Sequence, residues 1–264
     1  MSAPHPVTLF TWNILAPEYA APRTGEDTRD FYRFAHPWDE WDRRRPRILA
    51  RLATCEADIL CLQEVSERFW HDELRVFLDA LGFEVTFRSR AGQCGSVGVL
   101  VAHRRSLFTG EPLSEFGHPD DQGRCAAVHL RGLASGPSLV VVSVHLEWSP
   151  EENARRERLD RTFADLDARL VDDVQLVVGD VNFDPHAHPA WTRWGAAGWQ
   201  TSHPQPDMPT WAADGRCERL DAILFRGDIA LAGAAPVPTL TPIPGLPSEI
   251  HPSDHLPLAA VFRM

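Results

Sequence analysis

The chain has 264 residues, 26 basic against 37 acidic side chains and a formal net charge of −11. Its 44% hydrophobic content suits one large domain with a full core, or at most two small ones, and its 24% charged content excludes a wholly disordered chain. Every basic residue is arginine, so lysine Schiff-base chemistry and a phosphate-binding loop lysine are excluded. The acidic total argues against non-specific coating of nucleic acid, yet it is compatible with carboxylates gathered around a hard cation.

In chain order, Val7 to Trp12 reads as a buried strand ending at Asn13, and Ala20 to Asp39 as a long surface loop. A helix is expected from about Trp41, with Pro46 tolerable only in its first turn. Ile59 to Leu62 reads as a strand running into Gln63 and Glu64. Trp70, Leu74, Phe77 and Leu81 mark an amphipathic helix stopped by Gly82. Successive strands follow at Glu84–Arg88, Val97–Ala102, Ala126–Leu130 and Leu139–Val144. Pro150 opens a third helix with a buried stripe of Leu159, Phe163, Leu166 and Leu170, and further strands are expected at Val174–Val178, Asp221–Phe225 and Leu258–Phe262. The Pro-rich stretch from Pro236 to Pro252 reads as a loop. Strands separated in part by helices indicate an α/β layered sandwich.

The five cysteines are odd in number and widely spaced, so neither a disulfide framework nor a zinc knuckle is expected. No apolar run is long enough to span a bilayer, and Met1 to Leu9 lacks a basic and an apolar signal region. Together these favour a cytoplasmic setting, no membrane and no obligate protein partner.

The chemistry collects just past apolar strand ends. Asn13, Gln63-Glu64, His145, and Asp180 with Asn182 each follow an apolar run, while Asp221 and Asp254-His255 each precede one. Any one of these has a plain structural reading, as a turn residue, a helix start or a satisfied core histidine. Their common placement at rigid strand ends is what points to a site.

These residues carry a resemblance. Thr11-Trp12-Asn13-Ile14-Leu15, Asp58 to Val65 (DILCLQEV), Val144-His145-Leu146, Gly179-Asp180-Val181-Asn182, Pro209-Thr210-Trp211, Arg219 to Leu224 (RLDAIL) and Pro252 to Leu258 (PSDHLPL) occur in that order over residues 7 to 263. The ordered set resembles the endonuclease/exonuclease/phosphatase superfamily, which includes pancreatic deoxyribonuclease, abasic-site endonucleases, inositol polyphosphate 5-phosphatases and neutral sphingomyelinases. Tyr19-Ala20, Trp41, Arg44 and Trp148-Ser149-Pro150 are similar to the deadenylase/nocturnin/Angel branch. The helix after His145 departs from that branch: it often carries an Asp and a Lys there, where this chain reads Glu151-Glu152-Asn153-Ala154-Arg155-Arg156.

The resemblance implies a single domain over 1–264, a four-layer α/β/β/α sandwich with two facing, mostly antiparallel sheets, and a metal-dependent phosphoric ester hydrolase. Mg²⁺ is the expected cofactor, with Mn²⁺ able to substitute. Glu64 is the expected direct ligand, with Asn13 and Asp254 completing or orienting the metal shell. His255 beside Asp221 would position or activate water with Asp180, and Asn182 and His145 would stabilise phosphate oxygens. Arg44, in the cluster Arg43, Arg44, Arg45, Arg47 and Arg51, is a candidate phosphate contact, and Trp148 and Trp211 are candidate stacking residues. A plain surface loop explains His186-Ala187-His188 better than a second metal site. A β-turn explains Gly92, Gly95 and Gly98 better than a phosphate cradle.

Three functions remain open at this level. One is a nuclease or phosphatase on RNA 3′ ends, cyclic phosphate removal included. Another is a phosphoesterase on a nucleotide cofactor, inositol phosphate or phospholipid headgroup. The third is an inactive binding scaffold.

Overall fold

A computed structural model of the chain describes residues 6–20, 40–92, 95–114, 116, 123–133, 138–149, 151–169, 174–205, 208–213, 216–240 and 246–264. The aromatics Phe31, Tyr32, Phe34 and Trp38 of the expected first loop lie outside the described residues, as does Cys94.

Period-2 alternation builds two sheets. The first contains β1 (Val7–Asn13), β2 (Ile59–Ser66), β3 (Phe83–Gly92), β4 (Gly95–Arg104), β13 (Ala230–Ala234) and β14 (Leu258–Arg263), in the order β13-β14-β1-β2-β4-β3. The second contains β5 (Phe108–Pro112), β6 (Cys125–Gly132), β7 (Ser138–His145), β8 (Val174–Asp180), β9 (Gln200–Thr201) and β12 (Asp221–Arg226), in the order β5-β6-β7-β8-β12-β9. A ribbon of β10 (Trp211–Ala213) and β11 (Arg216–Glu218) stands apart. β1 runs parallel to β2 and β7 parallel to β8; every other pairing is antiparallel.

The layers follow from which alternate residues are apolar. Leu9, Ile59, Cys61, Val99 and Val101 of the first sheet meet Val128, Val141, Leu176, Val178, Ile223 and Phe225 of the second, forming the central core. The opposite face of the first sheet (Phe10, Trp12, Leu60, Leu62, Leu100) packs on α2 (Trp41–Thr54) through Ile48 and Leu52. It also packs on a helical segment made of α3 (Glu67–Phe69), a π turn (Trp70–Leu74) and α4 (Arg75–Ala80), through Trp70, Leu74 and Leu78. The opposite face of the second sheet (Val140, Val142, Val177, Leu224) packs on α5 (Glu152–Arg169) and α6 (Trp191–Ala196) through Leu159, Phe163, Leu166 and Trp194. This is the α/β/β/α order. Among the described helices, which also include α1 (Pro17–Ala20), none is long and apolar enough to cross a membrane.

Two local expectations change. Pro46 lies in the second turn of α2 rather than its first, so the bond its N–H would have made to the Asp42 carbonyl is missing. The helix survives there because its start is anchored by Arg44, whose guanidinium is buried against other segments. The edge strands β5 and β13 had no sequence signature: they read Phe-Thr-Gly-Glu-Pro and Ala-Leu-Ala-Gly-Ala and are largely exposed. The Gly92–Gly95 pair closes the β3–β4 hairpin, as a turn between strands requires.

One glycine is indispensable to the packing. Gly179 in β8 has φ +130°, and a Cβ there would stand 2.3 Å from the Val144 carbonyl oxygen and 2.8 Å from Gln63 Nε2. Gly179→Ala is expected to cost about 3 kcal/mol, lowering the melting midpoint by on the order of 10 °C in a thermal scan; a midpoint within 2 °C of the parent would contradict the tight contact.

Candidate active site

The stripe that forms the central core turns polar at one end of the sandwich. In β1 the inward series runs Leu9, Thr11, Asn13; in β7 it runs Val141, Ser143, His145; in β8, Leu176, Val178, Asp180; and in β12 it begins at Asp221 before Ile223 and Phe225. Register aligns them. His145 is level with Asp180 across the parallel β7–β8 pair, and Asp180 is level with Asp221 across the antiparallel β8–β12 pair. Gln63 stands inward at the level of Asn13 and ties the sheets together, its Nε2 donating to Thr11 Oγ1 and Ser143 Oγ, each at 3.1 Å.

Glu64 breaks this alternation. By parity it belongs with Leu60 and Leu62 on the helix-facing side. A register irregularity between Leu62 and Val65, with Glu64 at φ +55°, turns it into the cleft instead. A left-handed backbone at a non-glycine residue stores strain, and such strain concentrates at functional positions. It is held there by two hydrogen bonds, from Asn13 Nδ2 to Oε1 at 2.9 Å and from the Ala16 N–H to Oε2 at 3.0 Å.

Asp180 Oδ2 is the hub. It accepts from Asn13 Nδ2 at 3.0 Å and lies 3.7 Å from both His145 Nε2 and His255 Nε2. Its other oxygen accepts from the Asn182 N–H at 2.9 Å, an Asx-type turn that leaves Asn182 at φ +59°. Asn182 Nδ2 donates to the Leu146 carbonyl at 2.7 Å, joining the loops after β7 and β8. On the far side, His255 Nδ1 is 2.8 Å from Asp221 Oδ2, which holds the ring with Nε2 directed toward Asp180.

Supporting residues outside the expected set fix this geometry. Thr210 Oγ1 accepts from the Leu220 and Asp221 N–H groups at 3.0 Å. Ser253 Oγ donates to the Asn13 carbonyl at 2.6 Å and receives the His255 N–H at 3.2 Å, while Trp12 Nε1 donates to the His255 carbonyl at 2.9 Å. Thr210 and Ser253 lie within short motifs legible in the sequence, but a buried hydroxyl's backbone partners are not.

Electrostatics follow from burial. Glu64, Asp180, Asp221 and Asp254 are all buried near His255, with His145 beside Glu64 and Asp180. Burial raises the Glu64 carboxyl to about 7, with Asp254 adding repulsion. Burial likewise raises Asp180 to about 8, partly offset by His255. For His255, burial works against the charge, but Asp221, Asp254 and Asp180 together hold the imidazolium well above its ordinary range. Burial, with Arg124 and His255 nearby, drives His145 down to about 3, so it is neutral.

The donor set fits a divalent cation. Among the described residues, Glu64, His145 and Asp180 present ligand atoms within 4.8 Å of one another, as do Asp180, Asp221 and His255. Four buried carboxyls facing one imidazolium leave an excess of negative charge that a hard cation would neutralise. Asn13 spends its amide donor on the two acids, and its Oδ1 accepts from the Leu15 N–H at 3.1 Å, so it orients ligands. Asp254 accepts from Trp211 Nε1 at 2.9 Å and stands outside both clusters.

Two substrate-binding expectations are corrected. Arg44 is 1% exposed, and its Nη1 donates to the carbonyls of Ile14, Leu15 and Pro252 at 2.9–3.2 Å. It clasps the Asn13 and Asp254 loops together and cannot meet a phosphate. Its neighbours Arg43 and Arg45 pair with Glu40 and Glu73. Trp211 is 7% exposed, its indole N–H committed to Asp254 and its ring under Arg216, so it offers no stacking face. Trp148, three residues beyond His145, is 51% exposed. His186 and His188 belong to neither ligand cluster; His186 packs on Trp191, and His188 Nδ1 accepts from the Ala190 N–H.

Paired sheets with this constellation at one end define a class, and the chain belongs to the endonuclease/exonuclease/phosphatase family, whose profile matches residues 10–255. Within the family it is similar to human protein angel homolog 2, with 30% identity over 154 residues, which is 54% of this chain and 27% of that protein. It is also similar to the Ccr4 3′–5′ exoribonuclease subunit of the CCR4-Not complex of Saccharomyces cerevisiae, with 23% identity over 177 residues, 55% of this chain and 20% of that one. Each match thus spans about a quarter or less of the curated relative. Among solved structures, ANGEL2, described as a 2′,3′-cyclic phosphatase and bound to adenosine-2′,3′-vanadate, superposes with a TM-score of 0.81 at 22% identity, covering 99% of this chain and 96% of that one. The human nocturnin catalytic domain gives 0.72 at 22% identity, covering 98% and 93%. The sequence likeness is thus to angel and Ccr4 proteins, and the fold is that of ANGEL2 and the nocturnin catalytic domain.

Proposed function

We propose that this chain is a Mg²⁺-dependent phosphoesterase acting on phosphate esters at RNA 3′ ends, removal of a 2′,3′-cyclic phosphate included. The observation that carries the reading is the convergence of Asn13, Glu64, His145, Asp180, Asp221 and His255 at one end of both sheets. The RNA end as substrate is drawn from the likeness to the angel and Ccr4 proteins. Residues 1–264 act as one domain in this reading, in the cytoplasm. The four described cysteines, all free, support that setting.

Glu64 would hold the metal at the cluster it forms with His145 and Asp180, and the metal would supply charge to the phosphate oxygens as a Lewis acid. The rest is the work of the side chains. Asp180, ionised beside a bound cation, would accept a proton from water as the water oxygen bonds to phosphorus; the ester P–O bond breaks and the leaving ribose oxygen takes a proton from solvent. His255, kept charged by Asp221, donates from Nε2 to a non-bridging oxygen as negative charge builds there. Asn182 and neutral His145 lie beside the same centre and orient the phosphate.

The test is an assay of oligoribonucleotides ending in a 2′,3′-cyclic phosphate or a 3′-hydroxyl, run with Mg²⁺ beside a panel of phosphorylated metabolites. Release of phosphate or nucleotide from RNA alone supports the reading; turnover confined to a metabolite overturns it. Metal linkage gives a separate check. Mg²⁺ at 100 times its Kd should stabilise the protein by about 2.7 kcal/mol, and Glu64→Gln should raise the half-saturating Mg²⁺ concentration by about 10- to 100-fold, read as a thermal shift. An unaltered metal dependence in Glu64→Gln would remove Glu64 from the ligand set.

A further inference from the structure

Arg43, Arg44 and Arg45 of α2 are committed to carbonyls and acids, and a second group of arginines lies beside His145. Arg124 immediately precedes β6, and its carbonyl accepts the His145 N–H at 2.8 Å. Its side chain is 19% exposed, and its Nη2 stands 3.2 Å from Glu147 Oε1. Glu147 is shared: its Oε2 accepts from Arg158 Nη2 at 2.9 Å and its carbonyl from Arg158 Nη1 at 3.1 Å. Arg90, exposed on β3, is near enough to repel the Arg124 charge, as is Arg158. The Arg90 backbone abuts Gly123, where an added Cβ would stand 2.4 Å from Arg90 Cβ. Arg124 Nε is buried with no hydrogen-bond partner.

Two guanidinium groups, those of Arg124 and Arg158, thus share one carboxylate in a protein whose net charge is −11, and Arg90 lies beside Gly123, next to Arg124 in the chain. A buried donor left unsatisfied is costly, and one carboxylate shared by two arginines leaves positive charge that a further anion would offset. The exposed ring of Trp148 follows Glu147 directly. A basic cluster joined to an aromatic face is what a single nucleic-acid strand engages, phosphate on the charges and base on the ring.

We infer that Arg124, with Arg158 and Arg90, forms a subsite for the phosphate next to the scissile one, selecting single-stranded RNA over mononucleotides. The inference rests on the RNA-end reading above and adds which substrates of that class the site prefers.

Two measurements test it. In the presence of EDTA, where no turnover occurs, anisotropy of a fluorescent single-stranded oligoribonucleotide is followed against salt for the parent, Arg124→Gln and Arg90→Gln. Each variant should bind about tenfold more weakly, with the slope of log affinity against log salt shallower by about 0.7. Arg90 is exposed, so its variant reads the subsite even if Arg124→Gln misfolds. With Mg²⁺, the ratio of kcat/KM for a cyclic-phosphate-terminated trinucleotide over the matching mononucleotide should fall about tenfold in either variant, mainly through KM. Unchanged salt slopes in both variants overturn the subsite whether or not RNA is turned over. Weaker binding by the variants, beside a parent enzyme that hydrolyses no RNA, would support the subsite while sinking the proposed reaction.

Discussion

Replacing Asp180 with asparagine is expected to lower kcat by about two to four orders of magnitude, the span that loss of a general base produces. The carboxylate accepts from Asn13 and lies 3.7 Å from both His145 and His255, so it stands at the centre of the site. The same change removes a buried acid whose ionised form is penalised by desolvation and by Asp221 and Glu64. The inactive protein should therefore melt no lower than its parent, a separation of activity from stability common where function requires strained charge. Single-turnover kinetics and a thermal scan on the same preparation decide it. Retention of more than a tenth of the parental rate would assign the proton to another group, His255 first.

Asp221→Asn should cost as much, on the order of 10³- to 10⁴-fold, the loss seen when an amide replaces the acid of a hydrolase triad. An amide facing His255 Nδ1 no longer sustains the imidazolium and fixes the wrong tautomer. Because Asp221 acts through His255, the double variant Asp221→Asn/His255→Ala should lose no more than His255→Ala alone. Multiplicative losses in the double variant would show that the two residues do not work as a pair.

Much of this arrangement is legible in the sequence, for a physical reason. Apolar runs ending in Asn13, His145 and Asp180, or beginning at Asp221, are the inward stripes of four strands, and alternation carries their parity straight from core to cleft. Glu64 is legible as a strand-end acid, yet its direction is not, since parity alone would send it toward the helices and only the left-handed bulge turns it back. Arg44 was misread because five arginines in one helix look like a solvated or phosphate-facing surface. Nothing local reveals that one of them reaches the carbonyls of Ile14 and Pro252, far away in the chain. Trp211 was misread for a similar reason, its single N–H being claimed by Asp254 from 43 positions downstream. Arg124 carries no motif at all; its role rests on Glu147 and Arg158, which contact makes visible and sequence does not.

The strand order has one further outcome. β14, the last strand, lies between β13 and β1, so the opening segment of the polypeptide is flanked by its closing one. Asn13 and Glu64 thus sit in a layer that only His255's own stretch completes, while Asp180 and Asp221 belong to the opposing layer. The amino-terminal half supplies Asn13 and Glu64, and the carboxy-terminal half Asp180, Asp221 and His255, so the complete cleft exists only once the two halves meet. Two fragments separated between β5 and β6 would each be silent, and their recovery of turnover on mixing would serve as a direct reporter of assembly.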